Sequence, residues 1–94
     1  GPTAAAGLRL VRLVYPDPGA LHTVTVAGNF NAWQPDGLAL IQRRGVWTID
    51  LALPPGIYEY MFVVDGQHWV TDPLARTTRD DGYGGENAVL DLSI

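Results

Sequence analysis

The chain has 94 residues, six basic against ten acidic side chains, a formal net charge of −4 and no cysteine. That is enough for one domain with a thin core, and it excludes a disulfide framework and thiolate chemistry. A mildly acidic chain lacks the Lys and Arg excess that neutralises phosphates, which argues against nucleic acid, and no apolar run approaches the roughly 20 residues of a membrane-spanning helix.

Gly1-Pro2 reads as the scar of a removed expression tag and Thr3 to Gly7 as linker, so the domain is expected over 8–94. Leu8 to Tyr15 is an apolar strand carrying two arginines; its alternation slips near Leu10-Val11, which suggests a bulge. Pro16 to Gly19 is a turn cluster. His22 to Gly28 alternates, Val24 and Val26 against Thr23 and Thr25. Asn29 to Gly37 has the composition of a loop but carries Phe30 and Trp33. Leu38 to Gln42 is a short strand, and Arg43-Arg44-Gly45 turns the chain. Trp47, Ile49, Leu51 and Leu53 then share one face of a strand. Pro54-Pro55-Gly56 leads into a second patterned strand, on which Tyr58, Tyr60, Phe62 and Val64 share a face. Asp65-Gly66 fits a two-residue type I′ hairpin turn, where both positions need φ > 0. Trp69 follows, and Asp72-Pro73 ends the strand because proline offers no N–H. Ala75 to Arg79 reads as a short edge strand, Asp80 to Gly85 as a glycine-rich loop, and Ala88 to Leu92 as the closing strand.

About seven short strands, separated by turn signals every eight to twelve residues and with no helical periodicity, predict an all-β fold. The pattern is that of an antiparallel β-sandwich of immunoglobulin-like type. Catalysis is not what the residues suggest. Two histidines and no cysteine leave little for nucleophilic or metal chemistry. Acids such as Asp17, Asp36 and Asp65 sit in turn contexts. Asp80, Asp81 and Glu86 match no EF-hand spacing and read as a solvated turn. No cofactor is expected.

Of three tryptophans, Trp47 starts a patterned strand and reads as core. Trp33 and Trp69 each sit where a strand gives way to a loop, among polar residues such as Asn31, Gln34, Gln67 and His68. Two readings stay open for them: rim residues that cover the sandwich edge, or a pair of rings for a ligand. Flat rings suit the apolar C–H face of a pyranose, while amides and carboxylates serve its hydroxyl edge.

Five motifs carry a resemblance over about Leu8 to Leu92. They are Val26-Ala-Gly-Asn-Phe-Asn-Ala-Trp33, Gly45-Val-Trp47, Gly56-Ile-Tyr-Glu-Tyr-Met-Phe-Val-Val-Asp-Gly66, Trp69-Val-Thr-Asp-Pro73 and Asn87-Ala-Val-Leu90. In order and spacing they resemble carbohydrate-binding module family 48. That family includes the glycogen-binding domain of the AMP-activated protein kinase beta subunit and the N-terminal early-set domain of isoamylases and branching enzymes. The resemblance implies a non-catalytic early-set domain that takes α-1,4-linked glucans such as glycogen, starch or maltooligosaccharides. It also implies that Trp33 and Trp69 are the family's stacking rings. The family's sugar-contacting lysine is replaced by Met61, which cannot donate a hydrogen bond. Its ligand-binding asparagine falls on Glu86, or on Asn87 after a one-residue shift. Its bracing loop residue has no match in Gly82-Tyr83-Gly84-Gly85, where Tyr83 offers a third aromatic surface. The expected carbohydrate site is therefore Trp33, Trp69, Met61, Tyr83, Gln67, Glu86 and Asn87. The same framework also serves as a structural module that packs on a catalytic or partner domain of a longer protein, and Met61 and Glu86 leave that alternative open.

Overall fold

A computed structural model describes residues 7–19 and 23–93 and builds them from nine strands: β1 (Arg9–Pro16), β2 (Val24–Gly28), β3 (Leu38–Ala39), β4 (Ile41–Arg43), β5 (Val46–Leu53), β6 (Ile57–Val64), β7 (His68–Val70), β8 (Thr78–Asp80) and β9 (Glu86–Asp91). The expected tag remnant, most of the linker, the strand start at His22 and the terminal residue 94 lie outside the described residues. Every strand pairing is antiparallel. One sheet runs β1-β5-β4; the other runs β3-β2-β6-β9-β8, with β7 paired to β6 as well. The described residues include no helix, in keeping with the all-β expectation.

Strand alternation decides what faces inward. Leu13, Trp47 and Leu51 of the three-stranded sheet meet Val24, Val26, Tyr60, Phe62, Val64 and Ala88 of the larger one in a single buried cluster. The Tyr15 and Phe62 rings join the two sheets edge to face, with centroids 5.3 Å apart. Trp47 is core, as its strand predicts. Phe30 leaves its loop to pack on this cluster, 6.1 Å from Tyr58 and 6.5 Å from Tyr60.

Three local expectations change. No bulge interrupts β1: its register against β5 runs unbroken from Arg9↔Leu53 to Pro16↔Val46. The apparent slip arises because Leu10, 85% exposed, is an apolar residue on the outer side. The Leu38 to Gln42 run is two strands. β3 pairs β2, β4 pairs β5, and buried Leu40 between them lets the chain cross from one sheet to the other. The predicted edge strand starts later, at Thr78, and pairs β9.

Asp72 is buried beside Tyr60, whose hydroxyl donates to Asp72 Oδ2 at 2.5 Å, while the Leu74 N–H donates to Oδ1 at 2.8 Å. Burial, then the hydrogen bond and charge of Asp72, push the Tyr60 phenol well above its ordinary range. The folded phenol stays neutral where the unfolded one ionises, near pH 10. Its stabilisation is therefore complete below about pH 10 and declines as pH rises above it. Urea titrations of Tyr60→Phe are expected to lose that alkaline component. At pH 7 the variant should be about 1–3 kcal/mol less stable, because the buried carboxylate loses a donor. An unchanged midpoint both at pH 7 and above about pH 10 contradicts this assignment.

Candidate functional site: an aromatic depression on the outer face of the larger sheet

Inward Tyr60, Phe62 and Val64 of β6 leave Glu59, Met61 and Val63 on the opposite, outer face. The turn after β6 puts Trp69 on that same face. Asp65 and Gly66 adopt φ of 52° and 74°, as a type I′ turn requires, and the Gln67 N–H closes on the Val64 carbonyl at 3.2 Å. Pairing resumes at Val64↔His68, so three residues, not two, separate the strands. The extra residue, Gln67, shifts the phase by one. Trp69 lies opposite outward Val63, and Val70 packs against the core. A two-residue turn would set Trp69 against inward Phe62.

Trp33 arrives from the other side, on the loop after β2. Asn31 pins that loop. Its Oδ1 accepts from the Gly28 N–H at 3.0 Å, and its Nδ2 donates to the carbonyls of Val26 at 3.3 Å and Gln34 at 3.2 Å. The Trp33 N–H donates to the Gly28 carbonyl at 2.8 Å. Ala32 and Trp33 are both left-handed, at φ of 57° and 58°, a conformation that costs L-residues energy and persists only where surroundings impose it. Thr25 on β2 donates its hydroxyl to the Pro35 carbonyl at 2.5 Å, drawing the loop across the sheet. Gly28 has no room for a side chain: a Cβ there would lie 2.5 Å from the Glu59 carbonyl oxygen.

The third wall is the glycine-rich loop. Asp81 Oδ1 accepts from the N–H groups of Tyr83 (2.7 Å) and Gly85 (3.0 Å), and the Asp81 N–H donates to the Gly85 carbonyl at 3.1 Å. Gly82 and Gly84 take φ of 83° and 89° on either side of Tyr83, a conformation glycine adopts at no steric cost. The phenol they present is 94% exposed.

These elements enclose a depression of about 710 Å³ lined by Trp33, Met61, Trp69, Tyr83 and Asn87, with Asp81, Gly84 and Gly85. Five of the seven expected residues thus come together. Asn87 lies opposite Arg79 and donates its amide to Glu59 Oε1 at 3.2 Å. Glu86 faces the other way on β9: it shares the side of core residue Ala88, its carboxylate accepts from the Thr78 hydroxyl at 3.0 Å, and it does not line the depression. Gln67 sits in the turn and is not part of the lining either. Asp81, expected only as part of a solvated turn, braces the Tyr83 loop and lines the depression. Its signal was an aspartate two residues before an aromatic flanked by glycines, the pattern of a side-chain-to-backbone turn.

The lining is mostly apolar, three aromatic rings and Met61, with the Asn87 amide and the Asp81 carboxylate among them. No group of three or more His, Asp or Glu able to hold a metal occurs among the described residues. The arrangement can bind a ligand with one apolar face and one polar edge.

A family profile described as the glycogen recognition site of AMP-activated protein kinase matches residues 11–93. Protein PTST homolog 2, chloroplastic, from Arabidopsis thaliana is 37% identical over 93 residues, covering 96% of this chain and 16% of its own length. The SNF1-related protein kinase regulatory subunit beta-2 of the same plant is 40% identical over 70 residues, covering 73% of this chain and 23% of its own. The chain therefore spans only a small part of the curated relatives it matches. Among solved structures, the maltogenic amylase from S. marinus superimposes with a TM-score of 0.75 over 90% of this chain and 14% of the amylase, at 20% identity, a likeness of fold alone. The chain belongs to the glycogen-recognition family of carbohydrate-binding modules, as a non-catalytic domain.

Proposed function

We propose that this module binds α-1,4-linked glucan chains, of the kind found in glycogen, starch and maltooligosaccharides, by stacking glucosyl faces on Trp33 and Trp69. Met61 and Tyr83 extend the apolar floor, and Asn87 meets sugar hydroxyls. The observation that carries this reading is the convergence of both rings, from two separate elements, on one open depression that Asn87 and Asp81 also line. Glu86 and Gln67 do not line the depression and are left out of the proposed contacts. Two rings and a few hydrogen bonds that compete with water give about −4 to −7 kcal/mol, or millimolar to micromolar affinity. A competing role, packing against another domain of a longer chain, is favoured by Met61, which offers no donor, and by exposed Leu10, Ile41 and Leu74.

A native gel cast with amylopectin separates the two. The unmodified domain should be retarded, and Trp33→Ala and Trp69→Ala should each lose the retardation while keeping the same unfolding free energy in urea within about 1 kcal/mol. Free migration of the unmodified domain at high polysaccharide would refute glucan binding and leave the packing role.

A further inference from the structure

Beyond Asn87 the outer face carries a charged ledge. We infer that Arg79 and Glu59 form a second glucan subsite, which reads the vicinal hydroxyls of a glucosyl unit lying past the tryptophan pair. The inference rests on the depression being the glucan site. Arg79 on β8 is the cross-strand partner of Asn87, which lines the depression. Its side chain reaches over β9, and NH1 donates to Glu59 Oε2 at 2.9 Å. Asn87 donates to the other oxygen of the same carboxylate at 3.2 Å, so Glu59 is held from both sides. The backbone of Glu59 is tied as well: its N–H donates to Asn29 Oδ1 at 3.2 Å, and its carbonyl accepts from the Asn29 N–H at 3.1 Å. Asn29 opens the loop that carries Trp33. Platform and ledge therefore share one frame.

The chemistry suits a diol. Adjacent hydroxyls of a glucosyl ring can each donate one hydrogen bond and accept another. A carboxylate accepts and a guanidinium fork donates, so the pair complements both. Glu59 is only 22% exposed at its side chain and pre-set, whereas Arg79 is 60% exposed and presents the rest of its fork to solvent. Because Glu59 neutralises Arg79, the ledge suits a neutral polyol, not an anion. The simpler account is a surface ion pair worth about 0–1 kcal/mol to the fold. What sets this pair apart is its link through Asn87 to the depression, next to a floor where Met61 supplies no donor.

The test is a ¹⁵N-detected titration of the domain with maltotriose and maltoheptaose. Arg79→Gln and Glu59→Gln are each expected to weaken maltoheptaose about five- to tenfold and to change maltotriose less than twofold. Arg79→Lys, which keeps the charge but not the fork, should recover only part of the loss. Unchanged maltoheptaose affinity in both variants overturns the subsite. So does an equal loss on both chain lengths, since the pair would then only position Asn87. In either case Trp33→Ala and Trp69→Ala still abolish binding if the depression is the site. If those two variants bind both sugars like the unmodified domain, the reading of the depression fails and the subsite falls with it.

Discussion

Trp47→Ala is expected to destabilise the domain by about 3–5 kcal/mol, the usual cost of removing a large buried ring. A domain of this size has total stability on the order of 5–14 kcal/mol, so much of the margin goes. The ring is 9% exposed and packs in the cluster that joins the two sheets, on a strand paired on both sides. Neither neighbouring sheet can close the gap without breaking its register. The indole Nε1 is buried without a hydrogen-bond partner. Asp17 is held below the ordinary carboxylate range chiefly by the Gly19 N–H and then by the Gln42 amide; the Trp47 indole contributes least and makes no hydrogen bond of sound geometry. Trp47→Phe should therefore cost markedly less than Trp47→Ala, because it keeps an aromatic ring and removes an unpaired donor. Urea denaturation checks both. A Trp47→Ala protein that unfolds cooperatively with its midpoint almost unchanged contradicts the core assignment.

Deleting Gln67 is expected to abolish glucan binding as completely as Trp69→Ala, although Gln67 lines no part of the depression. The three-residue turn places Trp69 opposite Val63; a two-residue turn pairs it with Phe62 and turns the ring toward the core. That core already holds Val70, and cores take extra volume badly, at a cost of roughly 1–3 kcal/mol. The deletion should therefore lose binding and some stability together, through inverted facing or an unpaired β7. Gln67→Ala keeps the turn length and should bind within twofold of the unmodified domain. Calorimetry with maltoheptaose compares the two, and full binding by the deletion variant rules out phase as the cause.

That one residue also marks the limit of what was legible beforehand. The Tyr58 to Val64 alternation named the core face of β6 correctly, and Asp65-Gly66 carried the need for positive φ. Turn length did not follow from the dipeptide, because both hairpin lengths accommodate it, and turn length determines where Trp69 points. Alternation would have separated Glu86 from Asn87 once Ala88 was known to be core; the family resemblance alone left them one residue apart. The sheet switch at Leu40 leaves no local mark, since the apolar run Leu38-Ala-Leu-Ile41 reads the same in one strand or in two. The left-handed Ala32-Trp33 pair was hidden for a different reason. Neither residue favours that conformation, and the hydrogen bonds of Asn31 and Gly28 impose it. Arg79 and Glu59 lie 20 positions apart in the chain and meet only across β9.

The most direct measurement uses the three indole N–H resonances of the ¹⁵N-labelled domain, one for each tryptophan. On titration with maltoheptaose, the Trp33 and Trp69 signals should shift together along one saturating curve while the Trp47 signal stays fixed. Static Trp33 and Trp69 signals at millimolar sugar, or a curve followed by only one of them, would contradict a shared two-ring platform.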